Sequence, residues 1–309
     1  MVLNNLSEII EINELVNLEF FAQHVVEGFI TGMHKSPYHG FSVEFAEHRL
    51  YNAGESIKHI DWKLFGRTDK LFVKRYEEET NLRAHILIDT SSSMLFPYQD
   101  KKINSKLGFS VFCTAALINL LRKQRDAVGI TLFSDKIEFQ SEAKLSMSHA
   151  KHLFAKLEEI LVSGNQKLNK TTTVTGMLHE IAEKIHKRSL VVIFSDMLDS
   201  DNEDNIFNAL QHLRHNKHEV ILFHVTDHQK EIDFGYENRP YKFIDMETGE
   251  TVKLNPNIIR DTYKKSVTDY FSRLKLRCGQ YNIDIVEADI NKDFKSVLIP
   301  FLLKREKLF

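Results

Sequence analysis

The chain has few cysteines and no long apolar run, and each shortage excludes a class of protein. Its 309 residues include only two cysteines, Cys113 and Cys278, which lie far apart and outside any CxxC pair. A zinc cluster or a disulfide framework is therefore not expected, and a reducing cytosol is the simplest compartment for these thiols. The most apolar segment, 111–121, is too short to cross a bilayer. We expect a cytoplasmic protein that is not inserted into a membrane.

An excess of charge of one sign is also lacking. The 41 Lys and Arg residues nearly balance 43 Asp and Glu residues, for a formal net charge of -2. This balance gives no reason to expect nucleic acid or anionic lipid as a partner. Residues 1–16 carry three glutamates and no basic stretch before an apolar run, so no signal peptide is expected. The chain also contains no GxxxxGK[ST] loop, which argues against ATP binding by this chain itself.

The hydrophobic pattern divides the chain into two regions. In residues 1–80, apolar side chains first recur at helical spacing up to Gly32 and then alternate as in short strands. We predict an N-terminal helix followed by a small strand-rich module. In residues 81–309, short apolar runs alternate with amphipathic stretches, which predicts an α/β domain with a mostly parallel sheet and helices on both faces.

The elements of the second region can be placed approximately. The predicted strands are Ala84–Ile88, Ala127–Phe133, Leu190–Phe194, Val220–Val225 and Ile283–Val286. The predicted helices are Ser105–Lys123, Ser148–Leu161, Val174–His186, Glu203–His215, Pro256–Leu276 and Asp293–Leu302. A β-hairpin insertion near 240–254 interrupts the alternation, and we expect it at the edge of the sheet.

Polar side chains follow two of the predicted strands where each strand ends. The first strand leads into Asp89, Ser91 and Ser93, and the predicted strand Leu190–Phe194 ends beside Asp196. Three consecutive threonines, 171–173, precede the helix that starts near Val174. Ligands bind beyond the carboxyl ends of strands in such a sheet, so these acids and hydroxyls should converge on one edge.

Acids and hydroxyls of this kind suit a small, hard cation. Mg²⁺ prefers an octahedron of oxygen ligands, and carboxylates one layer out can orient its waters and hydroxyl ligands. A site with little negative charge in direct contact with the ion keeps the ion attractive to an outside carboxylate. We therefore expect Mg²⁺ or Mn²⁺ as cofactor, although the residues alone leave Ca²⁺ open.

The pattern D-x-S-x-S with a later threonine loop and a later Asp resembles the metal-ion-dependent adhesion site of von Willebrand factor A domains. The resemblance implies a fold of that type, with Ser91 and Ser93 as direct ligands and Asp89 and Asp196 acting mainly through water. It assigns Thr172 as the threonine ligand, with its two threonine neighbours as alternatives. The chain departs from the family at the Gly-Gly that precedes this threonine, where it has Asn169-Lys170-Thr171.

Upstream and downstream segments narrow the resemblance to the family called domain of unknown function 58. The segments are Arg49-Leu50-Tyr51, Gly54-Glu55, Ile60-Asp61-Trp62-Lys63, Arg67, Lys70-Leu71, Tyr76-Glu77-Glu78-Glu79 and 243–250. The family tends to be encoded beside MoxR-type AAA+ ATPases. The resemblance therefore implies an adaptor or co-chaperone of such an ATPase, acting on protein clients that can be membrane-associated.

Alternative interpretations of the same residues stay open. Asp89, Ser91 and Ser93 are also the residue types that cap a helix after a strand. A magnesium-dependent hydrolase is a second functional class, although no acid–base pair or Ser-His-Asp spacing supports catalysis and no enzyme activity is expected. A metal-free scaffold is a third, favoured by the altered threonine loop. The leading hypothesis is a metal-ion-dependent module that captures an acidic residue of a partner.

Overall fold

The computed structural model describes residues 17–32, 47–51, 60, 62–75, 82–97, 104–162, 174–198, 203–294 and 297–298. Its helices are α1 Leu18–Gly32, α2 Trp62–Thr68, α3 Lys106–Lys123, α4 Met147–Val162, α5 Val174–Lys184, α6 Glu203–His215 and α7 Pro256–Gln280. Its strands are β1 Glu47–Leu50, β2 Phe72–Arg75, β3 Arg83–Asp89, β4 Ala127–Phe133, β5 Ile137–Gln140, β6 Leu190–Ser195, β7 Glu219–Thr226, β8 Tyr241–Ile244, β9 Thr251–Leu254 and β10 Asp284–Asp289.

Six strands form the central sheet, in the order β10-β7-β6-β3-β4-β5. All neighbouring pairs are parallel except β4–β5, which is antiparallel at one edge. The prediction of a mostly parallel α/β sheet is confirmed. Strand β5 follows β4 after a short turn and was not predicted, because its four residues are only partly buried and their pattern is weak.

Alternating side chains of the buried strands supply two separate cores, one on each face of the sheet. On β3, Ile86 and Ile88 belong to the core that includes residues of α1, α3 and α4. Leu87, between them, belongs to the core that includes residues of α5, α6 and α7. Because successive side chains of a strand point to opposite faces, a strand buried on both faces is apolar throughout. Helices on both faces are confirmed, and most of the predicted helix Asp293–Leu302 lies outside the described residues.

The first helix lies with the main body of the chain. The structure forms two compact units, residues 33–81 and the remainder, and α1 is in the second of these. Phe21 of α1 packs edge-on against Phe112 of α3 at 4.8 Å between ring centroids. Asn119 of α3 donates to the carbonyl of Ala22 at 3.1 Å. The sequence prediction had placed this helix in one region, residues 1–80, with the small strand-rich module. In that module, β1 and β2 form an antiparallel pair.

The hairpin insertion is present but does not extend the main sheet. Strands β8 and β9 pair only with each other among the described residues, with Phe243 opposite Val252. The expected position at the edge of the sheet is therefore wrong. An aromatic cluster explains the separation: Phe243 stacks on Phe234 at 5.8 Å between centroids, and Tyr263 of α7 contacts the same Phe234 ring at 4.5 Å. These rings anchor the hairpin to α7 instead of to a strand.

No helix in the described part of the chain combines the length and the apolar character that crossing a bilayer requires.

Candidate functional site

The end of β3 forms the centre of the candidate site. Asp89 is fully buried, and its two carboxylate oxygens accept different hydrogen bonds. Oδ1 accepts from the backbone N–H of Ser91 at 2.9 Å, and Oδ2 accepts from the hydroxyl of Ser195 at 2.8 Å. The second bond joins the ends of the neighbouring parallel strands β3 and β6. Asp89 thus organises its own loop and couples it to the Asp196 loop.

Two hydroxyls lie side by side just after Asp89. The Oγ atoms of Ser91 and Ser93 are 3.0 Å apart, at the start of a short 3₁₀ turn, Ser93–Leu95. Ser91 is buried and Ser93 is partly exposed. The backbone bond from Ser91 to Asp89 is also what a local capping arrangement provides. The loop therefore shows both the local capping bond to Asp89 and the pair of adjacent serine hydroxyls.

The loop after β6 is held from several sides. Met197 has a positive φ of 52°, which is unfavourable for a residue with a side chain. Its backbone N–H donates to the hydroxyl of Ser195 at 2.9 Å, and its carbonyl accepts from the hydroxyl of Tyr270 on α7 at 2.6 Å. Nε2 of His224 lies 3.0 Å from the carbonyl oxygen of Asp196. This network fixes the backbone that carries the Asp196 carboxylate.

Replacing Tyr270 with phenylalanine should weaken that loop. The hydroxyl bond to Met197 is lost, and the free energy of unfolding should fall by about 1 kcal/mol, the usual net contribution of one hydrogen bond. Urea denaturation of the Tyr270→Phe variant followed by circular dichroism measures the change. An unfolding midpoint identical to that of the wild type would show that the bond does not stabilise the loop.

A lysine that the sequence analysis did not single out lies beside Asp196. Lys106 is the first residue of α3, and its side chain is fully buried. Its Nζ is 2.8 Å from Asp196 Oδ2 and 2.6 Å from Glu231 Oε1. Asp196 Oδ1 meanwhile accepts from the backbone N–H of Leu198 at 3.2 Å. Both oxygens of Asp196 are therefore engaged by the protein.

Burial by itself would lower the pKa of Lys106, but the carboxylates of Asp196 and Glu231 outweigh that effect and hold the pKa above its ordinary value. Lys106 is thus a permanent cation inside the site. Glu231 comes from a five-residue π-helical turn, His228–Ile232, directly after β7. Its other oxygen, Oε2, accepts from the backbone N–H of Asp227 at 2.8 Å.

Asp89 has a different electrostatic environment from Asp196. Burial, followed by the negative charge of Asp196, raises the pKa of Asp89 to about 7, although the hydrogen bonds from Ser91 and Ser195 oppose the shift. The Lys106 ammonium pairs with Asp196 and Glu231, whereas Asp89 forms no ion pair within the described part of the chain and burial disfavours its charged form.

The predicted site residues are brought together in part. Asp89, Ser91, Ser93 and Asp196 lie at the carboxyl ends of β3 and β6, as predicted. Thr172 and its two neighbours lie outside the described residues. Among the residues that are described, no three His, Cys, Asp or Glu side chains form a group that could hold a metal ion. An ion at this edge would depend on hydroxyl ligands, as the sequence prediction already required.

One sequence signal could have revealed Lys106. Helix α3 has the sequence KLGFSVFCTAALINLLRK, in which Lys106 is the only charge before Arg122. A lysine at the start of an otherwise apolar, buried helix is almost never fully buried unless it is paired. The identity of its partners required the fold, because Asp196 and Glu231 lie 90 and 125 residues away in the chain.

Comparison with known proteins shows the family of the chain. The family model described as "Protein of unknown function DUF58" matches residues 47–272, and the chain belongs to this family. Curated relatives include the uncharacterized protein Rv1480 of Mycobacterium tuberculosis and the uncharacterized protein Mb1516 of Mycobacterium bovis. Each is 22% identical over 213 residues, which cover 69% of this chain and 64% of the relative. The match thus spans less than two thirds of the length of these relatives.

Two solved structures also match the chain at low similarity. BatB from Bacteroides thetaiotaomicron matches with a TM-score of 0.42 and 13% identity, over 73% of this chain and 98% of that one. An aerotolerance-related membrane protein from Bacteroides fragilis also has a TM-score of 0.42 and 13% identity, over 70% and 96% of the two chains.

Proposed function

We propose that this DUF58 protein is a binding module with a von Willebrand factor A-type fold whose site at the carboxyl edge of the sheet takes a divalent cation, Mg²⁺ or Mn²⁺. The module captures an acidic residue of a protein partner and serves as adaptor or co-chaperone of a MoxR-type AAA+ ATPase. The observation that carries the proposal is the pairing of two adjacent hydroxyls with Asp89, a buried carboxylate that forms no ion pair with any described residue.

The hydroxyl side of the donor set fits such an ion. Two ligands at right angles, each about 2.1 Å from Mg²⁺, lie about 3 Å apart. The Oγ atoms of Ser91 and Ser93 are 3.0 Å apart, as two neighbouring positions of an octahedron would be. These hydroxyls would hold the ion, with Thr172 as the further ligand that the family resemblance implies. When bound, the ion would supply an open coordination position that favours a carboxylate from outside.

The two carboxylates have separate tasks in this proposal. Both oxygens of Asp89 are occupied by hydrogen bonds inside the protein, so Asp89 acts as an orienting charge rather than as a direct ligand. Asp196 is compensated by Lys106 and positions the loop after β6. A charge tally supports a divalent ion: Asp196 and Glu231 contribute two carboxylates against one ammonium, and Asp89 adds a third, buried carboxylate close enough to Asp196 to feel its charge.

A second candidate function is a binding module that works without metal. The specific observation in its favour is Lys106, whose ammonium already provides a buried positive charge beside Asp196. In that case the lysine rather than an ion would attract the acidic residue of the partner. The two candidates differ in whether a chelator changes binding.

Removal of the Asp89 charge tests the metal-dependent candidate. Asp89→Asn keeps an acceptor oxygen for the Ser91 N–H, and its amide NH2 can donate to the Ser195 hydroxyl, so the loop should persist. We expect Mg²⁺ affinity, measured by calorimetry, to fall by about 10–100-fold, as for other groups that orient metal ligands. Capture of a purified MoxR-type ATPase should fall in parallel, and EDTA should abolish it for the wild type.

The matched control is Asp135→Ala, at an exposed acid just after β4 on the same edge of the sheet. This variant should bind Mg²⁺ and partner as the wild type does. Capture by the wild type that is equally strong with and without EDTA would exclude the metal-dependent candidate and leave the lysine-based one. Loss of binding in Asp135→Ala as large as in Asp89→Asn would mean that only the overall charge of this edge matters.

A further inference from the structure

Glu231 contributes more negative charge to the site than Lys106 needs. One carboxylate, Asp196, is enough to neutralise the buried ammonium, and it lies 2.8 Å from Nζ. Glu231 adds a second carboxylate at 2.6 Å, so the group of three side chains carries a net negative charge. Burying an uncompensated charge costs free energy. Stabilisation of the ion pair is therefore a poor reason for this contact.

Glu231 also lies on the outer side of the group. The side chains of Lys106 and Asp196 are 0% and 1% exposed, whereas that of Glu231 is 21% exposed. Of the three side chains, that of Glu231 is therefore the one that reaches solvent. An acidic residue that approached Lys106 from outside would reach the position that Glu231 holds.

The backbone that carries Glu231 is suited to movement. The π-helical turn His228–Ile232 contains no buried residue, in contrast to the neighbouring strand β7. Segments with few buried residues open at lower free-energy cost than the core, and single-turn π-helical segments are frequent at functional sites. Departure of the Glu231 carboxylate would break its bonds to Lys106 and to the N–H of Asp227, a residue that lies just beyond the end of β7.

We propose that Glu231 is an internal occupant of the candidate site, which holds on Lys106 the position that a carboxylate of the bound protein takes. This inference rests on the second candidate of the proposed function, in which Lys106 rather than an ion receives the acidic residue of the partner, and it adds a regulatory step to that candidate. With Glu231 in place the site is closed. A partner binds by displacing the Glu231 carboxylate into solvent, while Asp196 keeps its contact with Lys106.

The test compares Glu231→Gln with a matched control, Glu237→Gln, whose exposed carboxylate pairs with the exposed guanidinium of Arg239. The probe is an immobilised, purified MoxR-type AAA+ ATPase in the presence of Mg²⁺. A neutral amide holds Lys106 less strongly than a carboxylate does. The apparent affinity for the partner is proportional to the fraction of molecules in which the site is open. Because Glu231→Gln should raise that fraction, we expect it to bind about ten-fold more tightly than the wild type. Glu237→Gln should bind as the wild type does.

Hydrogen exchange of the wild-type protein gives a second readout. Residues 228–232 should exchange faster when the ATPase is bound than in the free protein, because the turn loses its contact with Lys106. Equal affinities of Glu231→Gln and Glu237→Gln would overturn the inference, as would slower exchange of this turn in the complex. Sensitivity to EDTA tests the metal-dependent function independently of this inference. If Glu231→Gln binds more tightly than the wild type and EDTA has no effect, the inference about Glu231 holds and the metal-dependent function is excluded. Absence of binding by every variant overturns both.

Discussion

Replacement of Lys106 with methionine is expected to lower the free energy of unfolding by about 3–5 kcal/mol, the usual cost of removing one partner from a buried ion pair. Methionine fills a similar volume, so the loss would come mainly from the carboxylate of Asp196, which would stay buried without a cation, whereas the carboxylate of Glu231 can turn towards solvent. Asp196 has little freedom to reach water, because its side chain is 1% exposed and its loop is held by neighbouring elements. Urea denaturation at neutral pH measures the effect.

Lys230→Met is a closely matched control for this prediction. The ammonium groups of Lys106 and Lys230 lie 5.8 and 5.9 Å from the centroid of the same ring, Phe96. Both variants therefore lose a comparable cation–π contact, which contributes about 0.5–1 kcal/mol. Only Lys106→Met also strands buried carboxylates. Equal destabilisation by the two variants would show that the ion pairs to Asp196 and Glu231 contribute no net stability.

A triple variant separates the stranded charges from other effects of the substitution. Adding Asp196→Asn and Glu231→Gln to Lys106→Met removes both uncompensated carboxylates while their shapes remain. Neutral replacement of a whole buried ionic group is often tolerated, in contrast to removal of a single partner. The triple variant should therefore recover most of the lost stability. A triple variant as unstable as Lys106→Met alone would place the defect in the packing of α3.

The regular part of the fold could be predicted because its physical signal is local. Strands buried on both faces are apolar along their whole length, as in the burial of β6 from Leu190 to Ser195, and amphipathic helices repeat at steps of three and four. The exposed hairpin β8–β9 was also recognised from its alternation. Its position was predicted wrongly, because the aromatic contacts with Phe234 and Tyr263 join segments that no local pattern relates.

The candidate site could also be predicted only in part. Asp89, Ser91, Ser93 and Asp196 follow strands, and parallel strands bring their carboxyl ends to one edge, so their grouping follows from the topology. Lys106 and Glu231 follow from no such rule. Lys106 starts a helix that packs on the sheet, and Glu231 sits in an irregular turn whose side-chain direction depends on π-helical geometry. The role of Lys106 as the cation of the site could therefore be recognised only from the structure.

At the opposite end of β3, His85 should make the protein less stable in acid. The residue is 5% exposed, and its Nδ1 has no hydrogen-bond partner among the described residues. Burial, assisted by His218, Arg83 and His186, lowers the pKa of His85 from 6.5 to about 4. Between these two values the unfolded chain binds a proton that the folded protein excludes. Stability from this residue is therefore complete above pH 6.5 and is lost progressively as the pH falls towards 4.

The size of this effect follows from the difference in pKa. Between pH 7 and pH 5, the linkage amounts to about 2 kcal/mol of unfolding free energy, since each pKa unit is worth about 1.4 kcal/mol. Urea denaturation at the two pH values should show a decrease that is smaller by this amount in His85→Leu, which has no group to protonate. His152→Leu, at an exposed position of α4, should retain the decrease of the wild type. An equal decrease in the wild type and His85→Leu would mean that His85 is protonated in the folded protein at pH 5, despite its place in a central strand between β4 and β6.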